Sequence, residues 1–76
     1  MPQVTMMVPD GNEIRARRLR LGLRPKQVAD RTGRHVQTIR KLETGHLKEA
    51  SECLMHQVAF VLGAEVEDIT KHEAAA

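Results

Sequence analysis

Five glycines divide this chain into short blocks, and their spacing constrains the fold more than any other feature: Gly11, Gly22, Gly33, Gly45 and Gly63. The blocks between them have the length of short helices, and because they do not resemble one another the spacing is not a repeat. Glycine readily adopts the left-handed conformation in which many helices end. A chain of 76 residues has room for one domain with a small core. We therefore expect a single domain of short helices joined by tight turns.

Capping residues and apolar spacing place the helices. Asp10, followed by Glu13 three residues later, resembles a capping box and predicts a first helix over residues 11–21, with Ile14 and Leu21 on its inner side. Pro25 stands at the first position of the second expected helix, where proline is well tolerated. The expected helices cover about residues 11–21, 25–32, 36–43 and 51–62, and a short fifth one includes Val66 and Ile69. The sequence thus predicts an all-α, compact five-helix bundle.

The residues before the first helix form an arm for which several structures stay open. Residues 4–8 have β-propensity, but the run ends at Pro9, so the arm is either loose or a strand that needs a partner. Its apolar residues favour folding back on the domain or pairing with a second subunit, and a frayed terminus is the alternative. We expect three parts: an N-terminal arm over residues 1–9, a domain over 10–70 and a disordered tail over 71–76.

The charges are unevenly distributed along the chain. Residues 13–48 hold eleven of the twelve Lys and Arg residues and only three acidic ones, whereas residues 49–76 hold one Lys and six acidic residues. Such a basic segment favours a polyanionic partner over a merely solvated surface. The chain has one Phe and neither Trp nor Tyr, so it lacks the aromatic rings on which single-stranded bases stack. Double-stranded DNA is therefore the favoured partner.

The segment between the third and fourth glycines has the pattern of a DNA-reading helix. Two short helices, 25–32 and 36–43, are separated by a tight turn that contains Gly33, which is the arrangement of a helix-turn-helix. In the helix over residues 36–43, Ile39 and Leu42 have the spacing of core residues. The opposite face carries Gln37, Arg40 and Lys41, and such side chains read base edges in the major groove.

Three segments together resemble the Cro/lambda-repressor-type (XRE-family) helix-turn-helix proteins: IRARRLRLGL, PKQVADRTGRHVQTIRKLETG and LMHQVAFVLGAEVEDI. The resemblance covers about residues 13–69. The features that match are Gly22-Leu23, Ala29, Gly33, Thr38-Ile39, Leu42-Glu43, Gly45, Val58-Ala59 and Leu62-Gly63. A glycine spacing alone would be a weak sign, whereas this ordered set is specific. The resemblance implies a lambda-repressor-like bundle with a central helix-turn-helix.

The resemblance also implies roles for individual residues. Base contacts fall on Val36, Gln37 and Lys41, with Arg40 at the edge, and simple packing of Val36 or phosphate contact by Arg40 and Lys41 are the alternatives. Arg18 and Glu43 correspond to a partly buried structural ion pair. Phosphate contacts are expected at the start of the second helix, in the turn and after the third helix, from Arg24, Lys26, Arg34, His35, Thr44, His46 and Lys48. Arg15 or Arg17 of the first helix would extend these contacts.

Three positions depart from the family pattern. Many members have Thr-Gln where this chain has Arg24-Pro25, and proline cannot bond a phosphate as that glutamine does. His35 stands where Ser or Thr often caps the third helix, and the loop after Gly45 lacks a frequent proline. These changes affect the details of DNA contact and leave the fold unchanged.

The fourth helix presents a candidate protein interface. Its core stripe includes Met55, Val58 and Leu62, so Phe60 and Cys53 point away from that stripe, next to each other. An exposed Phe beside a Cys indicates an interface for a second copy or another protein. Cover by the N-terminal arm or by the last turn is the alternative for Phe60. A single Cys cannot form an internal disulfide, which suits a reducing compartment.

These patterns favour a non-enzymatic regulator. The sequence shows no catalytic set of residues, Cys53 and His56 lack a third metal ligand, and we expect neither a metal nor another cofactor. We expect a soluble, cytoplasmic protein of bacterial or phage type, with no membrane partner. The expected function is repression by a homodimer, formed in solution or only on DNA, that binds a two-fold operator with helix 36–43 in the major groove. Two alternatives remain: an antitoxin that also binds a toxin, and a protein-interaction adaptor that does not bind DNA.

Overall fold

The computed structural model describes residues 6–71. The expected beginning of the arm and most of the expected disordered tail, residues 1–5 and 72–76, lie outside the described residues. The elements in chain order are β1 (Met6–Met7), α1 (Gly11–Arg20), α2 (Pro25–Thr32), α3 (Val36–Thr44), β2 (Ala50–Ser51), α4 (Glu52–Leu62) and a 3-10 turn (Val66–Ile69). The four α-helices lie within a residue or two of the predicted ranges.

The prediction of a mainly helical domain is confirmed, but the structure differs from the expected five-helix bundle in two respects. Within residues 6–71 there are four α-helices, and the fifth element is a single 3-10 turn of four residues. Val66 and Ile69, three residues apart, are both buried, and a spacing of three suits the 3-10 geometry, in which such side chains lie above one another. The second difference is a short antiparallel sheet of two strands, β1 and β2.

The described part of the N-terminal arm folds back on its own domain. Met6 pairs with Ser51 and Met7 with Ala50 in the antiparallel ladder. The carbonyl of Val8 then accepts a hydrogen bond from the backbone N–H of Lys71, 2.8 Å away. Among the structures left open by the sequence, residues 6–9 therefore adopt the strand with a partner in the same chain.

The start of α1 is held by a cap that is only half of the expected capping box. The Asp10 carboxylate accepts from the backbone N–H of Glu13 at 3.3 Å, as predicted. The reciprocal bond is absent, because the Asp10 N–H donates to the carbonyl of Ile69 at 2.8 Å. Glu13 instead accepts from Arg17 Nε at 3.1 Å. The cap thereby joins the start of α1 to the 3-10 turn.

Gly11 begins α1 at a point where two backbones touch. A Cβ at this position would lie 2.5 Å from the carbonyl oxygens of Leu42 and Glu43 at the end of α3. No other residue type fits this approach without moving one of the helices, since real Cβ atoms do not come this close to backbone oxygens. The glycine therefore sets the distance between α1 and α3.

The inner side of α1 differs from the prediction at its end. Ile14 and Arg18 are buried, but Leu21 is 53% exposed because the helix ends at Arg20 and the chain then turns. Leu23, after the turn, enters the core instead. The prediction extended the helix one residue too far, and it therefore placed Leu21 in the core where the structure has Leu23.

The core lies between the four helices and the 3-10 turn. Its fully buried side chains are Ile14, Val28, Ile39, Leu42, Met55, Val58 and Ile69. Full burial of such a side chain stabilises the fold by about 1.5–3 kcal/mol relative to exposure. Two of these residues, Ile39 and Leu42, belong to α3, so the outer face of that helix is supported by a packed core.

Candidate nucleic-acid interface

Helices α2 and α3 form a helix-turn-helix with a three-residue turn. Gly33 ends α2 with a φ of +69°, a left-handed conformation that suits glycine, and its N–H bonds the carbonyl of Asp30. Arg34 then donates its N–H to the carbonyl of Ala29 at 2.9 Å, which closes the turn. The buried Thr32 hydroxyl is satisfied by the carbonyl of Val28, 2.9 Å away. The end of α2 and the beginning of the turn are therefore held by hydrogen bonds.

The outer face of α3 is polar and accessible. Ile39 and Leu42 are fully buried, which fixes the orientation of the helix about its axis. The exposed residues follow the spacing of one helical face, and they are Gln37, Arg40, Lys41 and Thr44. No ion pair among residues 6–71 involves Arg40 or Lys41, so both cations are available to an anionic ligand.

His35 caps the N-terminus of α3. Its Nδ1 accepts a hydrogen bond from the backbone N–H of Gln37 at 3.1 Å, in the role that a Ser or Thr hydroxyl more often has at a helix start. An accepting Nδ1 requires the neutral ring with its proton on Nε2. The exposed ring therefore keeps one N–H donor for a further partner, while the cap orders the first turn that carries Gln37.

Val36 was considered for two roles, contact with a base and packing in the turn, and its position allows part of each. Its side chain is half-buried and packs against the edge of the core. Part of the side chain remains accessible at the start of α3. The position can therefore offer only a small apolar surface to a ligand.

The start of α2 carries two of the expected cations. Arg24 and Lys26 are exposed, and neither side chain pairs with a carboxylate within residues 6–71. The backbone N–H of Arg24 is occupied, because it donates to Gln27 Oε1 at 2.8 Å. The sequence interpretation missed this role of Gln27, although a Gln three residues after a helix start is the signal for it. Arg24 can therefore reach an anion only through its side chain.

The loop after α3 is ordered by a small hydrogen-bond network. The Thr44 hydroxyl lies 2.8 Å from His46 Nδ1, and the N–H of Leu47 donates to the carbonyl of Lys41 at 3.1 Å. Lys48 follows on the surface and has no ion pair among the described residues. The three predicted phosphate contacts of this loop, Thr44, His46 and Lys48, are therefore close in sequence and exposed.

Arg34, the predicted phosphate contact in the turn, also contacts the fourth helix. Its guanidinium lies against α4, with Nε donating to Gln57 Oε1 at 3.1 Å and Nη2 at 4.0 Å from Cys53 Sγ. Arg34 thus connects the turn to the fourth helix. Cys53 is exposed and has this arginine as its neighbour, while Phe60 is 87% exposed on the same helix.

Arg18 and Glu43 join α1 to the end of α3 through a buried ion pair. Arg18 Nε donates to Glu43 Oε2 at 2.7 Å and Nη2 to Oε1 at 2.8 Å, and the side chains are 9% and 7% exposed. Nη1 of Arg18 donates to the carbonyl of Leu23 at 2.8 Å. Each polar atom of the pair is therefore satisfied, as the burial of charge requires.

A family model described as a helix-turn-helix domain matches residues 11–70, which is most of the chain. The chain therefore belongs to this family of helix-turn-helix domains, of the XRE/Cro-like type. No curated protein matches it. Membership indicates a DNA-binding regulator, and proteins of this family are generally not enzymes.

Two further observations concern other kinds of site. No helix within residues 6–71 is long and apolar enough to cross a membrane. In the same part of the chain, no three His, Cys, Asp or Glu residues gather closely enough to hold a metal ion.

Proposed function

We propose that the protein is a sequence-specific regulator that binds double-stranded DNA with α3 in the major groove. The observation that carries this proposal is the polar face of α3, on which Gln37, Arg40 and Lys41 project from a helix anchored by two fully buried residues. Gln37 can form two hydrogen bonds with adenine, Lys41 can donate to guanine, and the accessible part of Val36 can contact a thymine methyl group.

Phosphate contacts position this helix. Arg24 and Lys26 supply charge at the start of α2, and Thr44, His46 and Lys48 supply donors after α3. The Nε2–H of His35 adds a neutral donor while its Nδ1 caps the helix. These contacts carry no sequence information, so they contribute affinity to every duplex.

The protein binds a two-fold operator as a homodimer, with half-sites roughly 34 Å apart. The exposed face around Phe60 is the surface that supports contact between the two copies. This ring lies between two hollows of about 300 and 270 Å³, with Glu65 lining the first and Arg31 the second. Contact of this face with a second copy would bury the exposed ring, and Arg31 and Glu65 on either side of it offer opposite charges for pairing across such an interface. Occupation of such an operator represses transcription by excluding polymerase.

A second candidate function, that of an antitoxin, rests on the same exposed ring. Phe60 is 87% exposed and is the only aromatic residue of the chain. A toxin that covers this ring would copurify with the protein when both are produced together. Recovery of the protein without such a partner favours the homodimer.

The proposed base-reading role is tested with Gln37→Ala. The substitution keeps the backbone N–H that His35 caps, so the helix is preserved. We expect base choice to relax at one operator position, with a loss of about 1–3 kcal/mol on the best site. Competition titrations against single-base variants measure this. An equal loss on all sequences contradicts base reading by Gln37.

Arg24→Ala is the matching test of phosphate contact. Arg24 has no ion pair within residues 6–71, so its removal should weaken binding evenly on all sequences. The slope of log K against log salt should become shallower by about 0.9, the value for one phosphate. An unchanged slope contradicts the assignment, and binding that is independent of salt for the unmodified protein favours a protein-interaction adaptor.

A further inference from the structure

A groove between α1 and α3 borders the exposed face of α3. It has a volume of about 590 Å³ and is lined by Asn12 and Arg15 from α1 and by Arg40, Glu43 and Thr44 from α3. The geometry points to this groove as a binding site for a phosphate of the DNA backbone, which extends the DNA interface from the helix-turn-helix onto α1. This inference rests on the proposed DNA-binding function and names a further part of its site.

The free positive charge of the groove favours a phosphate. Arg15 and Arg40 are exposed, and neither side chain forms an ion pair or hydrogen bond within residues 6–71. Glu43 does not neutralise them, because both of its carboxylate oxygens accept hydrogen bonds from Arg18. The planar guanidinium group offers paired donors that match phosphate oxygens. The Asn12 amide provides a neutral donor beside them.

The walls of the groove are held at two points. Gly11 brings the start of α1 against the carbonyl oxygens of Leu42 and Glu43. Two turns further along α1, the buried pair of Arg18 with Glu43 fixes the same two helices. Arg15 lies between these points on α1, so its Cα position relative to α3 is set by the fold. A preorganised site loses little conformational freedom when its ligand binds.

The position of the groove agrees with the path of a DNA strand. Arg40 and Thr44, one helical turn apart, border both the groove and the outer face that carries Gln37 and Lys41. A helix in the major groove lies between two phosphate backbones. A cationic groove along the flank of α3 is therefore where one of these backbones passes.

The test compares Arg15→Gln with Arg17→Gln on a duplex that the unmodified protein binds. Arg17 is the matched control, because it lies on the same helix but already pairs with Glu13 at 3.1 Å. Affinity is measured between about 50 and about 200 mM salt. We expect Arg15→Gln to lower the slope of log K against log salt by about 0.9, and Arg17→Gln to change it much less.

A second measurement connects Arg15 to one phosphate. Duplexes in which single phosphates are replaced by uncharged methylphosphonates are titrated with the unmodified protein and with Arg15→Gln. We expect one flanking substitution to weaken the unmodified protein and to have no further effect on the variant. Equal slopes for the two variants, or a methylphosphonate loss that persists in Arg15→Gln, would overturn the inference while DNA binding itself stands. Salt-independent binding by the unmodified protein would instead contradict the proposed function.

Discussion

The buried ion pair of Arg18 and Glu43 provides the sharpest test of how this small domain is held together. Glu43→Ala leaves the Arg18 guanidinium buried, with the Leu23 carbonyl as its remaining partner at 2.8 Å. Removal of one member of a buried pair costs about 3–5 kcal/mol, because the other charge is left uncompensated. We expect a loss of unfolding free energy in this range.

The loss is large relative to the stability of the whole domain. At about 0.05–0.15 kcal/mol per residue, a chain of 76 residues has an unfolding free energy of about 4–11 kcal/mol. With a shift of about 4–8 °C for each kcal/mol, the melting temperature should fall by at least about 12 °C. Urea and thermal unfolding, followed by circular dichroism, measure both quantities.

Glu13→Ala is the matched control for this experiment. Glu13 forms an ion pair with Arg17 at 3.1 Å, but these side chains are 43% and 28% exposed, so the loss should be about 1 kcal/mol or less. Joint replacement of Arg18 by Met and Glu43 by Leu should recover much of the loss, since no charge then remains buried. If Glu43→Ala destabilises the protein no more than Glu13→Ala does, the reasoning is refuted.

Three further substitutions test other parts of the structure. Gly11→Ala places a Cβ 2.5 Å from the carbonyl oxygens of Leu42 and Glu43 and should cost about 1–3 kcal/mol in urea unfolding; unchanged stability would contradict the close approach of α1 and α3. His35→Ala removes a helix cap and should cost about 0.5–1.5 kcal/mol, whereas His35→Ser should preserve stability; equal losses in both would argue against the cap. Phe60→Lys should weaken self-association in sedimentation equilibrium without loss of helical content; an unaltered dimer would exclude Phe60 from the interface.

The helices could be predicted from the sequence because their signals are local. Pro25 and Gly33 mark the ends of α2, and the observed helix Pro25–Thr32 has the predicted bounds. The pairing of β1 with β2 joins residues more than forty positions apart, and two-residue strands leave no alternating pattern to detect. Leu21 was assigned to the core because the helical pattern was continued past the point where α1 ends. Local signals were therefore sufficient to predict the helices. The strand pairing and the end of α1 depend on tertiary contacts, which local signals do not show.

The candidate site likewise has some features that the sequence predicts and others that depend on tertiary packing. The exposure of Gln37, Arg40 and Lys41 follows from the burial of their neighbours at helical spacing, so the sequence was sufficient to predict it. The attachment of Arg34 to α4 depends on how the turn packs, which no local pattern encodes. Asn12 carries no signal of its own, because its place in the groove depends on the close approach of α1 and α3.

Selection from random duplex DNA tests the central claim most directly. The enriched duplex is titrated against a scrambled duplex at two salt concentrations. We expect a two-fold-symmetric winner that binds at least about 10³ times more tightly than the scrambled duplex, with both affinities falling as salt rises. No enriched sequence, together with weak and equal binding to every duplex, would contradict sequence-specific recognition by α3.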